Sequence, residues 1–256
     1  MSAAGTHTCG ITTAQRAYCW GYGASGRLGN GSTTSRSTPV AVSGGLSFFQ
    51  LSAGAGSGHT CALTPAYRAY CWGVGDRGQL GNGTLGNRLI PVAVSRTLFF
   101  IQISAGTAHT CAIARVVYRA YCWGSASDSQ LGDGTPPATD FKRPSPFPVH
   151  TSLSFRQVTA DGNHTCALTT SASSPRAWCW GLNDQGELGT GSTGRWAVYP
   201  APVAGGLSLP NIDAGAQHTC ALNTAGLAYC WGDNGTGQLG DGTTTDRRRP
   251  VAVVWP

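Results

Sequence analysis

The stretch His218–Gly232, HTCALNTAGLAYCWG, sets two apolar arms, 219–222 and 227–231, around Thr224-Ala225-Gly226. A three-residue loop ending in Gly suits a hairpin, because its last residue takes a left-handed conformation that costs Gly no Cβ clash. Centring that loop on Ala225 sets Asn223 opposite Leu227 and Cys220 opposite Cys230. Directly opposed strand residues have Cα atoms about 4.5–5.5 Å apart, within the reach of a disulfide. The stretch predicts a hairpin stapled across its strands.

The same pattern occurs five times: HTCGITTAQRAYCWG from His7, HTCALTPAYRAYCWG from His59, HTCAIARVVYRAYCWG from His109, HTCALTTSASSPRAWCWG from His164, and the copy from His218. The first cysteines recur at spacings of 52, 50, 55 and 54 residues. Five bridges are predicted: Cys9–Cys19, Cys61–Cys71, Cys111–Cys122, Cys166–Cys179 and Cys220–Cys230, which use all ten cysteines. A period near 50 residues means a repeat array, and the 256 residues read as a single domain of units 1–43, 44–95, 96–150, 151–204 and 205–256.

Composition agrees with an all-β chain. Gly is high at 37 residues, and charged residues make up only 11%. That balance suits short strands and many turns rather than helices. No apolar run approaches the ~20 residues of a membrane span, so no membrane insertion is expected of this segment. Ser2–Thr8 has neither a basic region nor an apolar core, so no signal peptide is visible. Ten paired cysteines nevertheless argue for an oxidising compartment. The two observations are reconciled if the chain is a mature or excised segment of a secreted protein, extracellular or at the cell surface. The net charge of +6 is spread out, and its one cluster, Arg247-Arg248-Arg249, reads as a solvated turn rather than a nucleic-acid site.

Each unit reads as four short strands. An opening strand such as 48–53 is followed by the HTC strand, the YCWG strand and a Gly-rich loop. A strand led by Pro39, Pro91 or Pro250 closes the unit. Alternation puts His7, Cys9 and Ile11 on one face and Thr8 and Gly10 on the other, with Tyr18 and Trp20 opposed to Ala17 and Cys19. Both faces carry apolar groups, so both need covering, and in a chain without helices only neighbouring sheets can cover them. Radial stacking of four-stranded sheets is a β-propeller. A linear β-solenoid is the alternative, but its repeats are usually shorter than ~50 residues.

The motifs AG-x-x-HTCAL, YCWG, GQLG-[ND]-GT and R-x-x-PV together resemble the repeat of the regulator of chromosome condensation family, over almost the whole chain. The resemblance implies a β-propeller, with seven blades in the best-known members against five units here. The cysteine pair in each repeat is more similar to extracellular versions, such as plant crinkly-type receptor ectodomains. The end-to-end order of five units leaves a closed ring and an open arc both available. Five similar sheets packed around one axis are expected, with Trp20, Trp72, Trp123, Trp180 and Trp231 in equivalent positions between blades; the open arc is the alternative.

Several motifs invite chemistry. Each repeat His lies two residues before a Cys with a second Cys opposite, which offers three of the four zinc ligands. Disulfide register competes, and the resemblance implies instead that the His bonds the backbone of a neighbouring strand or blade. Residues 21–26 and 73–78 match G-x-G-x-x-G, but Leu-Gly-Asn-Gly follows where a dinucleotide site needs a helix. The chain holds ten Asp, one Glu (Glu187) and no His outside the repeat positions except His150. That stock supplies no unique acid–base pair, so no catalysis and no cofactor or metal are expected.

Departures from the repeat carry more information. Unit three has the Pro-rich stretch 134–148 and unit four replaces R-x-x-P by 194–200. These stretches hold Phe141, Lys142, Arg143, Phe147, Arg195, Trp196 and Tyr199, read as loop residues that neighbouring blades bring into one partner-binding patch. Four sequons occur, at Asn30, Asn82, Asn163 and Asn234. Asn30, Asn82 and Asn234 are the candidate glycosylation sites, and Asn163, beside an HTC strand, is the poorest. The function expected is a non-catalytic scaffold that binds a protein or glycan surface or assembles with itself. A guanine nucleotide exchange factor for a small GTPase and a secreted enzyme inhibitor are the alternatives.

Overall fold

The computed structural model describes all residues except 57, 96, 139, 172 and 256. Its hairpins follow the local rules read from the sequence. In the fifth, Cys220 pairs with Cys230 and Leu222 with Ala228. The Asn223 N–H donates to the Leu227 carbonyl at 2.9 Å, and Gly226 sits at φ +78°. In the first two hairpins Gln15 and Tyr67 take that left-handed place at φ +60° and +61°. All five predicted cysteine pairs are disulfides, each with Cα atoms 4.1 Å apart.

Each hairpin gains a strand on either side. Blade one is β1 (Ser2–Ala3), β2 (His7–Ile11), β3 (Ala17–Gly21) and β4 (Arg36–Ala41). Blade two is β5 (Gln50–Ala53), β6 (His59–Leu63), β7 (Ala69–Gly73) and β8 (Arg88–Ala93). Blade three is β9 (Phe100–Ala105), β10 (His109–Ala114), β11 (Ala120–Ser125) and β12 (Lys142–Pro148). Blade four is β13 (Phe155–Asp161), β14 (His164–Thr169), β15 (Ala177–Leu182) and β16 (Trp196–Pro202). Blade five is β17 (Asn211–Ala214), β18 (His218–Leu222), β19 (Ala228–Gly232) and β20 (Arg247–Ala252). All five are antiparallel meanders in chain order.

The fourth strand starts earlier than its Pro suggests. Pro39 lies inside β4, where the register slips between Cys19 and Gly21. A proline is tolerated there because the strand is an edge and the slip is a bulge, so no ladder donor is lost. The same slip recurs in blades two, three, four and five. It needs the glycine of YCWG. Gly73 has φ +96°, and a Cβ on it would lie 2.5 Å from the Gly58 carbonyl oxygen.

Blades stack by opposite faces. The His/Cys/Ala face of one blade packs on the Thr/Trp/Tyr face of the next, with a phenylalanine from the following opening strand. Phe48 lies 6.1 Å from Trp72, Phe100 5.9 Å from Trp123 and Phe155 6.2 Å from Trp180, centroid to centroid. Each junction forms one apolar core: Cys9, Cys19 and Trp72 between blades one and two, Cys61, Cys71 and Trp123 between two and three. Cys111, Cys122 and Trp180 join three to four, and Cys166, Cys179 and Trp231 join four to five.

Five blades thus share four cores, and among the described residues no core joins blade five to blade one. The arrangement is an open arc of a β-propeller. The expectation of five equivalent tryptophans is corrected accordingly. Trp72, Trp123, Trp180 and Trp231 are fully buried. Trp20 is half-exposed, because its face of blade one has no blade against it.

Candidate functional site

The repeat histidines build the junctions. His7 Nε2 lies 2.8 Å from Thr60 Oγ1, and His59, His109 and His164 stand 2.9 Å from Thr110, Thr165 and Thr219 of the following blades. The acceptor is a side-chain hydroxyl, which corrects the expected backbone bond. The Thr110, Thr165 and Thr219 hydroxyls donate onward to the carbonyls of Gln79, Gln130 and Glu187 at 2.9–3.0 Å. A hydroxyl has a single proton, so it must accept from the imidazole Nε2–H. Trp123, Trp180 and Trp231 Nε1 donate to the same three carbonyls at 2.9–3.0 Å. The clasp therefore runs from a neutral His of one blade to the Thr of the next, and from that Thr and its Trp partner back to a loop of the first.

Burial keeps these rings neutral. Desolvation, with Arg27 adding to it, pulls the His7 pKa down to about 4. The fully enclosed His59, His109 and His164 fall to about 3, first through burial and then through neighbouring histidines. The cysteines beside them are bonded to each other, and no group of three or more His, Cys, Asp or Glu is arranged for a metal among the described residues. Sequence reasoning missed the threonines, although their signal was present in all five HTC motifs.

The candidate patch lies elsewhere, on the outermost strands of blades three and four. Lys142, Arg143, Phe147, Trp196 and Tyr199 are strand residues, which corrects their assignment to loops: proline-rich chain can pair at an edge. In blade three the Arg143 guanidinium sits 4.7 Å from the Phe141 ring centroid and 4.1 Å from that of Phe147. Arg143 Nη2 also pairs with Asp133 at 3.0 Å. Lys142 holds Asp140 at 2.7 Å. Thr139, within the same stretch, lies outside the described residues. In blade four Arg195 covers the exposed Trp196 ring at 4.9 Å and pairs with Asp184 at 2.9 Å. Tyr199 packs on His150 of blade three with centroids 5.0 Å apart. The loop beginning at Gly132 crosses between them, its Gly134 N–H bonding the Val198 carbonyl at 3.1 Å.

The remaining motifs serve the scaffold. Residues 21–26 form a turn with a single 3-10 step, Ala24–Gly26. Arg247–Arg249 opens β20 rather than a turn. Arg247 pairs with Asp241 at 2.6 Å, and Arg248 donates to the Ser192 carbonyl of blade four at 3.3 Å. Asn30 and Asn82 lie half-exposed in Gly-rich turns. Asn234 is 0% exposed, which corrects its candidacy for glycosylation. Its Nδ2 donates to Asp241 Oδ1 and to the Thr243 and Thr245 carbonyls, so it ties its own loop together. Asn163 Nδ2 is likewise engaged, at 3.0 Å from Asp128.

Comparison with known proteins agrees with this architecture. The family model "Regulator of chromosome condensation (RCC1) repeat" matches residues 16–63, 68–113, 119–168, 176–222 and 225–256. The first matched unit runs from β3 of blade one to β6 of blade two, so the family repeat contains a blade junction. The chain is 30% identical over 254 residues to the human E3 ubiquitin-protein ligase HERC2, covering 97% of this chain and 5% of that protein. It is 28% identical to the ultraviolet-B receptor UVR8 of Arabidopsis thaliana, covering 98% of this chain and 56% of the receptor. The solved structure of Prp20p from Saccharomyces cerevisiae, reported with its binding properties to Gsp1p and histones, superposes with a TM-score of 0.84 at 20% identity. That match takes in 98% of this chain and 62% of Prp20p. No helix of the described residues is long and apolar enough to cross a membrane.

Proposed function

Because the chain belongs to the regulator of chromosome condensation repeat family, we propose that it is a non-catalytic binding propeller of the extracellular space or cell surface. Its partner is a protein or glycan surface. The observation that carries this reading is the aromatic and guanidinium surface on β12 and β16. Arg143 sits against Phe141 and Phe147, Arg195 covers Trp196, and Tyr199 packs on His150. Aromatic and Arg side chains dominate measured binding energies, and groups already packed in place lose little entropy on binding. The repeated scaffold offers the same edge on blades one, two and five without these side chains, so specificity belongs where the blades differ.

The five disulfides support the compartment, since paired cysteines persist where thiols are kept oxidised. An exchange factor for a small GTPase would work where the same ten residues are held as thiols, and an enzyme inhibitor would suppress a target's turnover. Asn30 and Asn82 are the glycan acceptors of this reading, because their turns leave them accessible. The test displays the oxidised protein as bait for extracellular proteins and glycans, alongside a Trp196→Ser, Arg195→Ala double variant, both at exposed positions. Wild type should retain a partner that the variant releases at an unchanged melting temperature. Identical retention by both at equal yield overturns the assignment of the surface.

A further inference from the structure

The residue before each Leu-Gly turn reaches back along its own loop, and in blades two and three it is buried. Gln79, Gln130 and Gln238 each accept a backbone N–H on Oε1, at 2.9, 2.8 and 2.9 Å. That bond fixes which way each amide points. In blade two the Gln79 Nε2 then donates to Asp76 Oδ1, and in blade five Gln238 Nε2 donates to Asp233 Oδ2. Blade three has Ser127 in place of Asp76 and Ser125 in place of Asp233. Its own Asp128 is turned away, accepting from Ser127 Oγ and Asn163 Nδ2 at 3.0 Å each. Gln130, 1% exposed, is left with an Nε2 that meets no acceptor.

Gln130 lies on the wall of a cavity of about 430 Å³ at the meeting of three blades. Arg77 and Asp76 of blade two, Ser125 and Ser127 of blade three and Asn163 of blade four line it. Arg77 is loosely held: its Nη1 is 3.7 Å from Asp140 Oδ1, while Lys142 holds the same oxygen at 2.7 Å. Asp76, the one acid on the wall, already has its Oδ1 engaged by Gln79.

We propose that this cavity binds a carboxylate, taken from a small organic acid or from an Asp or Glu side chain of a partner protein. One carboxylate oxygen accepts from Gln130 Nε2, as the Asp76 and Asp233 oxygens do from the glutamines of blades two and five. The other meets the Arg77 guanidinium. An unpaired buried donor is costly, and a charge-assisted pair with a carboxylate is the strong way to satisfy it. The cavity adjoins β12, where Ser125 pairs with Lys142, but its lining side chains are not those of the binding surface proposed above, so its failure leaves that surface untouched.

The test follows the Gln130 side-chain amide of ¹⁵N-labelled protein by NMR. Two probes are titrated, sodium succinate and a blocked Gly-Glu-Gly peptide, each against sodium chloride at matched ionic strength. The amide should shift saturably with at least one probe and not with chloride. Saturation by succinate alone assigns a small acid, and saturation by the peptide alone assigns a protein side chain. Ser127→Asp supplies the carboxylate that blade two has, and should weaken binding at least tenfold without lowering the melting temperature. Should that variant fold poorly, Arg77→Ala, at an exposed position, should weaken binding by a similar factor. No shift beyond chloride with either probe, or wild-type affinity in the folded variants, overturns the proposal.

Discussion

At the scale of single residues, the junction histidines make the fold sensitive to acid. An imidazole ordinarily titrates near 6.5, whereas His7 is held down to about 4 and His59, His109 and His164 to about 3. The folded state keeps them neutral while the unfolded chain takes up protons below pH 6.5. Their contribution is therefore whole above that pH and drains as pH falls towards 3–4, at about 1.4 kcal/mol per pH unit for each ring. Glu187 and Asp161, whose carboxyls burial pushes up, act in the opposite sense and soften the loss. Melting temperatures should be level from pH 7 to 8 and fall steeply between pH 6 and 4; a level profile down to pH 4.5 contradicts the clasp. The hydroxyl end of the clasp gives a second expectation. Thr110→Val strands the His59 Nε2–H and removes one donor from the Gln79 carbonyl, at a cost of about 1–3 kcal/mol by chemical denaturation. Thr8→Val, on the uncovered face of blade one, should change stability by less than about 0.5 kcal/mol.

At the scale of the element, each hairpin is held by its disulfide and by one tryptophan. A bridge closing a loop of this length contributes roughly 3 kcal/mol in the chain-entropy account. Reduction should therefore lower the melting temperature sharply, and unchanged melting under reductant would contradict it. Trp123→Ala empties a fully buried site and should cost about 3–5 kcal/mol. Trp20→Ala should cost far less, which thermal melts of the two variants compare directly. Much of this was legible in the sequence. The cysteine register, the left-handed loop residue and the two-faced strands follow from spacing and side-chain type. The outer strands were not legible in the same way, because Pro39 read as the first residue of its strand and the prolines of β12 as a loop, until an edge and a bulge accommodate them inside strands. The candidate patch was half legible. Its aromatics stood out as departures from the repeat, but nothing in the sequence shows Arg143 between two phenylalanines or Tyr199 crossing to His150. The Gln130 amide was hidden for a related reason, since its lack of a partner depends on where Asp128 turns.

At the scale of the whole molecule, the arc has the curvature of longer propellers, matching Prp20p at a TM-score of 0.84 over 98% of this chain but only 62% of that one. Its two ends are the two halves of one junction. Blade one presents Thr8 and Trp20, the residue types that receive a clasp, while blade five presents His218 and the Gln238 carbonyl, the types that give one. The uncovered faces are apolar: Leu222 is 43% exposed where its counterparts Leu63, Ile113 and Leu168 are fully buried. In a repeat array each unit gains stability from its neighbours, so a unit with one neighbour is the first to open. Amide hydrogen exchange should accordingly be slowest in β10 and β14, faster in β2 and fastest in β18, where the last hairpin has a free face. Substitution should follow the same order. Leu168→Asp buries an unpaired charge and should prevent folding, whereas Leu222→Asp should leave a folded protein with reduced self-association at high concentration. Uniform protection across all five hairpins, or equal damage from the two substitutions, would mean that blade five packs against blade one in solution and that the ring is closed.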